Sequence, residues 1–270
     1  MAFQFSLNSS TIKPTPILQK IEVAAVAGYT AIELWHADID LHLEQGGTLS
    51  EIRRAIDNTG LVVPTTIMLK GWLEPDGAAF EAGWDECKRR LEQSAAVGAH
   101  HAVAGPPPGM IDYAMASQRY GALLDLGLTY GVRPSMEYLG FVEDVNCIDC
   151  ALRIMEGSGH PEATIVLDPF HDFRGGGGHD SILKLRPEQI AICHFDDAPA
   201  SPPPHEQHDP DRVMPGEGVI PLKSFLSHLK AIGYDRWISL ELFREDLWAA
   251  NPLTVARKGL QAMQQICESL

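Results

Sequence analysis

The chain has 270 residues, 45% of them hydrophobic and 21% charged, with a formal net charge of −15 at pH 7. This is the composition of a globular protein with a large buried core, and its acidic balance argues against a partner held by its phosphate backbone. No apolar run reaches the ~18–20 residues that a membrane span requires. The opening M-A-F-Q-F-S-L-N-S-S has neither the basic nor the apolar region of a signal peptide, so a cytoplasmic location is expected.

Residues 3–9 alternate as a first strand, and 16–27 place Ile17, Ile21, Val23 and Ala24 at helical spacing before Gly28. Residues 31–36 (A-I-E-L-W-H) read as strand two, 49–59 as a helix closed by Gly60, and 62–67 as strand three. The longest helical pattern, 78–97, stops at Gly98 and leads into strand four at 100–104 and the turn G-P-P-P-G. Residues 111–130 are helical up to Gly131, strand five is 133–139, and a helix over 145–156 ends at Gly157. Strand six is T-I-V-L at 164–167, four β-prone residues without alternation, as in a strand buried on both faces. Residues 173–180, F-R-G-G-G-G-H-D, read as loop, 180–186 as a short helix and 190–196 as strand seven. A polar, proline-rich loop over 198–218 precedes a helix at 221–232, strand eight at 237–243 and a last helix at 252–268. Alternation of strand and helix implies a parallel sheet, and eight such units imply a single (β/α)8 TIM barrel forming one domain over 1–270. No G-x-G-x-x-G follows an early strand, which weighs against an open dinucleotide-binding sheet.

Strands five to eight each end in a side chain able to bind a metal: Glu137, Asp168, His194 and Glu241. They are spaced by about one strand–helix unit, the last pair by one unit plus the long loop, so all four arrive at the C-terminal rim where barrel chemistry is placed. A lone Asp168 would be read as a cap or turn former. Three carboxylates and an imidazole converging in a dry site repel and raise one another's pKa unless a cation joins them. A divalent metal is therefore expected, and the mixed oxygen and nitrogen set suits Mn²⁺, Co²⁺, Zn²⁺ or Mg²⁺.

The motifs S-M-E-Y-L-G (135–140), V-L-D-P-F-H (166–171), C-H-F-D-D (193–197), D-R-V-M-P-G-E-G-V-I (211–220) and S-L-E-L-F-R (239–244) carry a family resemblance. The chain resembles the xylose isomerase-like barrels, a superfamily of sugar isomerases and epimerases, and within it is similar to the inosose isomerases. The resemblance is carried by the C-terminal half. It implies metal ligation by Glu137, Asp168, His194 and Glu241, with Glu137 and Glu241 doubling as the acid–base pair. It implies substrate binding by His171 and Arg212, and places Glu217 within the P-G-E-G motif. The expected activity is a metal-dependent isomerisation or epimerisation of a sugar- or polyol-derived α-hydroxyketone, inosose-like, through an enediolate. The alternatives are dehydration of a dehydroshikimate- or inosose-like ketone through the same enolate, an abasic-site endonuclease, and a sugar-binding barrel without turnover. The endonuclease would need further ligands on the early strands and a basic face. The partner is then a small-molecule ketone of carbohydrate or inositol metabolism, with no nucleic acid and no membrane, and the resemblance favours a homo-oligomer.

Other residues carry weaker expectations. Glu33 and Trp35 on strand two line the mouth or pack in the core. His36, His42, His205 and His208 have no ligand spacing and are expected to be solvated. The glycines at 175–178 lack the Lys-Ser/Thr of a phosphate loop and read as a flexible hinge. Cys147 and Cys150 form a single C-x-x-C in what looks like the first turns of a helix, where a structural role is expected.

Overall fold

The computed structural model describes residues 3–270. Eight parallel strands, β1 (Gln4–Asn8), β2 (Ala31–Trp35), β3 (Val63–Leu69), β4 (Ala99–Ala104), β5 (Arg133–Glu137), β6 (Thr164–Leu167), β7 (Ile190–His194) and β8 (Trp237–Leu240), pair in sequence order into a closed barrel. The last strand closes on the first through the pairing of Phe5 with Ile238 and of Ser6 with Ser239. The helices α1 (Ile17–Ala27), α2 (His36–Glu44), α3 (Leu49–Thr59), α4 (Ala78–Val97), α5 (Tyr113–Thr129), α6 (Ile148–Ser158), α7 (Pro169–Gly175), α8 (Leu222–Ala231), α9 (Glu245–Trp248) and α10 (Pro252–Glu268) occupy the connections. The fold is the TIM barrel that the alternation implied. Among the described residues no helix is long and apolar enough to cross a membrane.

Two apolar layers hold it. Alternate strand residues such as Leu7, Ile32, Leu34, Leu167 and Leu240 meet the helices in the outer layer. Ile67, Val103, Val166, Ala191 and Ile192 fill the barrel interior, with Trp35 and Trp237 against them. Each fully buried side chain of this kind stabilises the fold by about 1.5–3 kcal/mol.

The structure departs from the sequence reading where side chains override local pattern. Helix α2 was not expected, because H-A-D-I-D-L-H-L-E has only His36 and Ile39 buried and no apolar stripe to announce it. The short α9 was missed for the same reason: none of its residues is buried. Gly157 does not end α6; it lies inside the helix, where an added Cβ would stand 2.3 Å from Ser117 Oγ on α5, and Gly159 at φ 62° is the cap. Gly157 is thus a close-contact glycine between two helices. Residues 173–175 are helical rather than loop; a Cβ on Gly175 would collide with the Asn146 carbonyl oxygen, Gly176 takes φ 74° to turn the chain, and Gly176 and Gly178 have open space around them. Strands five, seven and eight stop at Glu137, His194 and Leu240, earlier than the apolar runs suggested, because the chain turns outward at the rim.

Two buried histidines away from the rim set a pH limit on this fold. Burial, and then the positive charge of Arg133, lower His101 to about 3. Burial lowers His36 to about 4, although Gln93 Oε1 stands 2.8 Å from its Nδ1. Both rings stay neutral in the folded chain while the unfolded chain binds protons near the ordinary 6.5. Stability should therefore be full above pH ~6.5 and fall as pH drops towards 4, by up to about 1.4 kcal/mol per pH unit for each histidine. Urea unfolding at several pH values checks this: His101→Gln and His36→Gln should each flatten the slope, and an unchanged slope would show that other groups carry it.

Candidate active site

Rigid backbone delivers the side chains at the rim. Glu137 is the last residue of β5 and His194 of β7, while Asp168 and Glu241 directly follow β6 and β8. All four are buried, none more than 4% exposed. Asp168 does cap α7: its Oδ1 accepts from the Phe170 and His171 amides at 2.8 and 3.0 Å, with Pro169 pre-set for the first turn. The cap uses only one carboxylate oxygen. Oδ2 is left to face the centre of the barrel.

At that centre is Nδ1 of His194, with Glu137 Oε1 at 3.1 Å, Glu241 Oε2 at 3.2 Å and Asp168 Oδ2 at 3.5 Å. The nitrogen is buried and forms no hydrogen bond. One unbonded imidazole nitrogen ringed by three carboxylate oxygens fits the donor set of a divalent cation. The other ring nitrogen, Nε2, stands 3.4 Å from Glu33 Oε2. Glu33 is itself held by Asn8 Nδ2, which donates to Oε1 at 3.2 Å, and by the Thr65 hydroxyl. A carboxylate behind the distal nitrogen keeps the proton on Nε2 and the lone pair on Nδ1, the tautomer that ligates. Glu33 is therefore neither mouth lining nor simple packing; it orients His194 from below. Trp35, by contrast, does line the mouth.

The charges are strongly interdependent. Burial would raise the Asp168 carboxyl, but the charges of Arg212 and His171 hold it well below the usual range. Burial would lower His194, yet Glu241 and Glu33 lift it well above the usual imidazole value. Glu241 is pushed well above the usual carboxylate range, by burial first and by Glu137 and Asp168, against the pull of His194 and Arg212.

Arg212 supplies the other positive charge. Its Nη1 stands 2.7 Å from Asp168 Oδ2 and 3.2 Å from Glu241 Oε2 and bonds to Asp196 Oδ2, while Nη2 reaches Asp209 Oδ1 at 3.0 Å and His171 Nε2 at 3.1 Å. The loop that carries Arg212 is pinned by Asp197. Its Oδ1 accepts from the Ala198 and Ile220 amides at 2.8 and 2.9 Å, and its Oδ2 from the Gly216 and Gly218 amides, both at 3.0 Å. The P-G-E-G motif is thus a backbone clamp, and Glu217 points away to Lys258 at 3.3 Å. A cavity of about 480 Å³ opens above, with Glu137, His171, Arg212 and Glu241 in its floor and Trp35, Trp72, Phe141 and Phe243 among its walls. That volume suits a single-ring or short-chain substrate.

Sequence reading placed Glu137, Asp168, His171, His194, Arg212 and Glu241 at one rim, and the structure brings all six together. It missed Asn8, Thr65, Asp196, Asp197 and Asp209. Asp196 and Asn8 carried a usable signal: one lies two residues beyond His194, and the other ends β1 at the same rim. The loop histidines do not gather. His42 faces Glu51 at 3.3 Å, His205 faces Glu206 at 3.6 Å, and His36 is buried against Gln93 rather than solvated.

A family model described as xylose isomerase-like TIM barrel matches residues 21–266. The chain belongs to that family. Inosose isomerase of Halalkalibacterium halodurans is 27% identical over 247 residues, covering 89% of this chain and 87% of the relative. Inosose isomerase of Bacillus velezensis is 33% identical over 145 residues, so the match spans about half of each, 52% of this chain and 51% of that one. In fold, the crystal structure of the IOLI protein with a binding zinc atom superposes with a TM-score of 0.92 at 23% identity, covering 99% of both chains.

Within this xylose isomerase-like barrel the two roles of Asp168 can be separated. Asp168→Asn keeps a capping oxygen but removes the charge, so it should abolish stoichiometric divalent-metal binding and lower stability only through the lost pairing with Arg212. Asp168→Ala should lose the metal and about 1 kcal/mol more stability than Asp168→Asn, the contribution of the cap. His194→Ala should lose the metal without disturbing any cap. Elemental analysis and thermal unfolding check the set; full metal occupancy in both Asp168→Asn and His194→Ala would remove the proposed ligands.

Proposed function

We propose that the chain is an isomerase or epimerase of a sugar- or polyol-derived α-hydroxyketone, inosose-like, dependent on one divalent metal held by Glu137, Asp168, His194 and Glu241. One observation carries the reading: Glu137 and Glu241 both reach the unbonded His194 nitrogen while both also form the floor of the cavity. The inosose isomerase relatives and the zinc atom of the IOLI structure support it. When bound, the ion polarises the ketone and the neighbouring hydroxyl and stabilises the negative charge that develops on them. Mn²⁺, Co²⁺, Zn²⁺ and Mg²⁺ all suit the donor set.

The protein's own part is proton movement and orientation. The two glutamates differ in their second oxygens. Glu241 Oε1 accepts from Asn8 Nδ2 at 2.8 Å, whereas Glu137 Oε2 accepts no hydrogen bond among the described residues. Glu137 Oε2, with no donor attached, is free to take up the α-proton, and Glu241 returns a proton on the opposite side. His171 and Arg212 bind substrate oxygens from the cavity floor, and Trp35, Phe141 and Phe243 exclude water from the enediolate. If the substrate carries a hydroxyl β to the ketone, the same acid can protonate it and release water. That dehydration is the competing outcome.

Two experiments test the scheme. In metal-loaded protein incubated with inosose in D₂O, Glu137→Gln and Glu241→Gln should each lower turnover by roughly 10²–10⁴-fold. Deuterium wash-in at the α-carbon should survive in Glu241→Gln and vanish in Glu137→Gln, read by proton NMR. Near-normal turnover in both variants would move the chemistry to other residues, and an α,β-unsaturated product would replace isomerisation by dehydration. Arg212→Ala should retain the metal while raising KM or lowering kcat; unchanged kinetics would reduce Arg212 to a charge partner of Asp168 and Asp196.

A further inference from the structure

Cys147 and Cys150 take no part in the rim, and the structure gives them a more definite arrangement than a surface helix turn. Cys147 is the N-cap of α6, in extended backbone with φ −149° and ψ 167°, and its side chain caps no amide. Cys150 stands three residues on, so its side chain is turned back towards the N-cap as in a capping box. The two free thiols lie with Sγ 3.0 Å from Sγ, both half-buried. Of the other cysteines, Cys87 and Cys193 are enclosed in the core.

We propose that Cys147 and Cys150 form a thiol–disulfide exchange site that reacts with low-molecular-weight disulfides. The surroundings divide the labour between the two sulfurs. Cys150 is held down at about 6, chiefly by the hydrogen bond from Cys147, with help from the Tyr113 hydroxyl and the Asn146 and Cys147 backbone and against the effect of burial. The partial positive charge of the helix N-terminus acts in the same direction. Cys147 is pushed the other way by the same hydrogen bond and by burial. Cys150, within the first turn of α6, is assigned the attack and Cys147, at the N-cap, the resolution.

The exchange balances without any group from the structure. The Cys150 thiolate attacks one sulfur of RS–SR; the S–S bond breaks, a mixed disulfide Cys150–S–S–R forms, and RS⁻ leaves and takes up a proton. Cys147 gives its proton to solvent and attacks Cys150 Sγ, forming the Cys147–Cys150 disulfide and expelling a second RS⁻, which is also protonated. Two protein thiols are oxidised and one small disulfide is reduced to two thiols. In a reducing compartment such a bond is transient and reports the thiol poise. No residue of the pair lines the cavity, so the reaction needs no access to the rim.

The test uses the intact native protein. After incubation with oxidised glutathione at neutral pH, free thiols are alkylated and the peptides mapped by mass spectrometry. The peptide spanning Cys147 and Cys150 should lose both alkylation sites and the mass of two hydrogens, and a dithiol reductant should restore them. In Cys147→Ser, which cannot resolve, a glutathione adduct should accumulate on Cys150. Complete alkylation of both residues in the oxidant-treated wild type, or a bond that forms only after denaturation, would overturn the proposal without bearing on the rim chemistry. So would an adduct that stops on Cys147 in the wild type.

Discussion

The mouth of this barrel depends on one electrostatic problem: Glu33, Glu137, Asp168, Asp196 and Glu241 are all buried around a single histidine. Removed from water, such a group tolerates neither its own charge nor its neighbours'. The fold answers with Arg212, which spans Asp168, Asp196 and Glu241. Arg212 in turn needs its loop fixed, which accounts for the four backbone amides collected by Asp197. The carboxylate oxygens that remain around His194 Nδ1 are what a cation would join.

Barrel geometry explains why those groups meet. Side chains alternate between the two faces of a strand, so a residue at the right parity at a strand's end looks into the barrel. One step below it lies a second inward position. Ser135 sits two residues before Glu137 and bonds Thr164 at 2.7 Å, while Thr65 on β3 bonds Glu33 in the same lower region. The apolar interior interleaves with these polar positions: Val166 pairs with Glu137 and with Ile192, and Val103 pairs with Ser135.

Much of this was legible in the sequence, because strand and helix periodicity and the strand-end acids are local patterns. The barrel and the four strand-end residues Glu137, Asp168, His194 and Glu241 follow from such patterns, whereas His171 and Arg212 were implied by the family resemblance. What was not legible depended on partners distant in sequence. Asn8 reads as a polar residue ending a short strand, yet it donates to both Glu33 and Glu241, separated from it by 25 and 233 positions. Gly157 looks like a helix stop until Ser117 is placed against it. Asp168 was framed as either cap or ligand, and the two oxygens of one carboxylate permit both. Helix α2 lacks an apolar stripe, so no periodicity could announce it.

The central claim is that the ring around His194 Nδ1 is a metal site. Anomalous diffraction from crystals grown with Mn²⁺ or Zn²⁺ tests it most directly. The account predicts one strong peak per chain within about 2.0–2.6 Å of His194 Nδ1 and of carboxylate oxygens from Glu137, Asp168 and Glu241. A peak at any other group of side chains, with Arg212 still bridging Asp168 and Glu241 and nothing at His194, would contradict it.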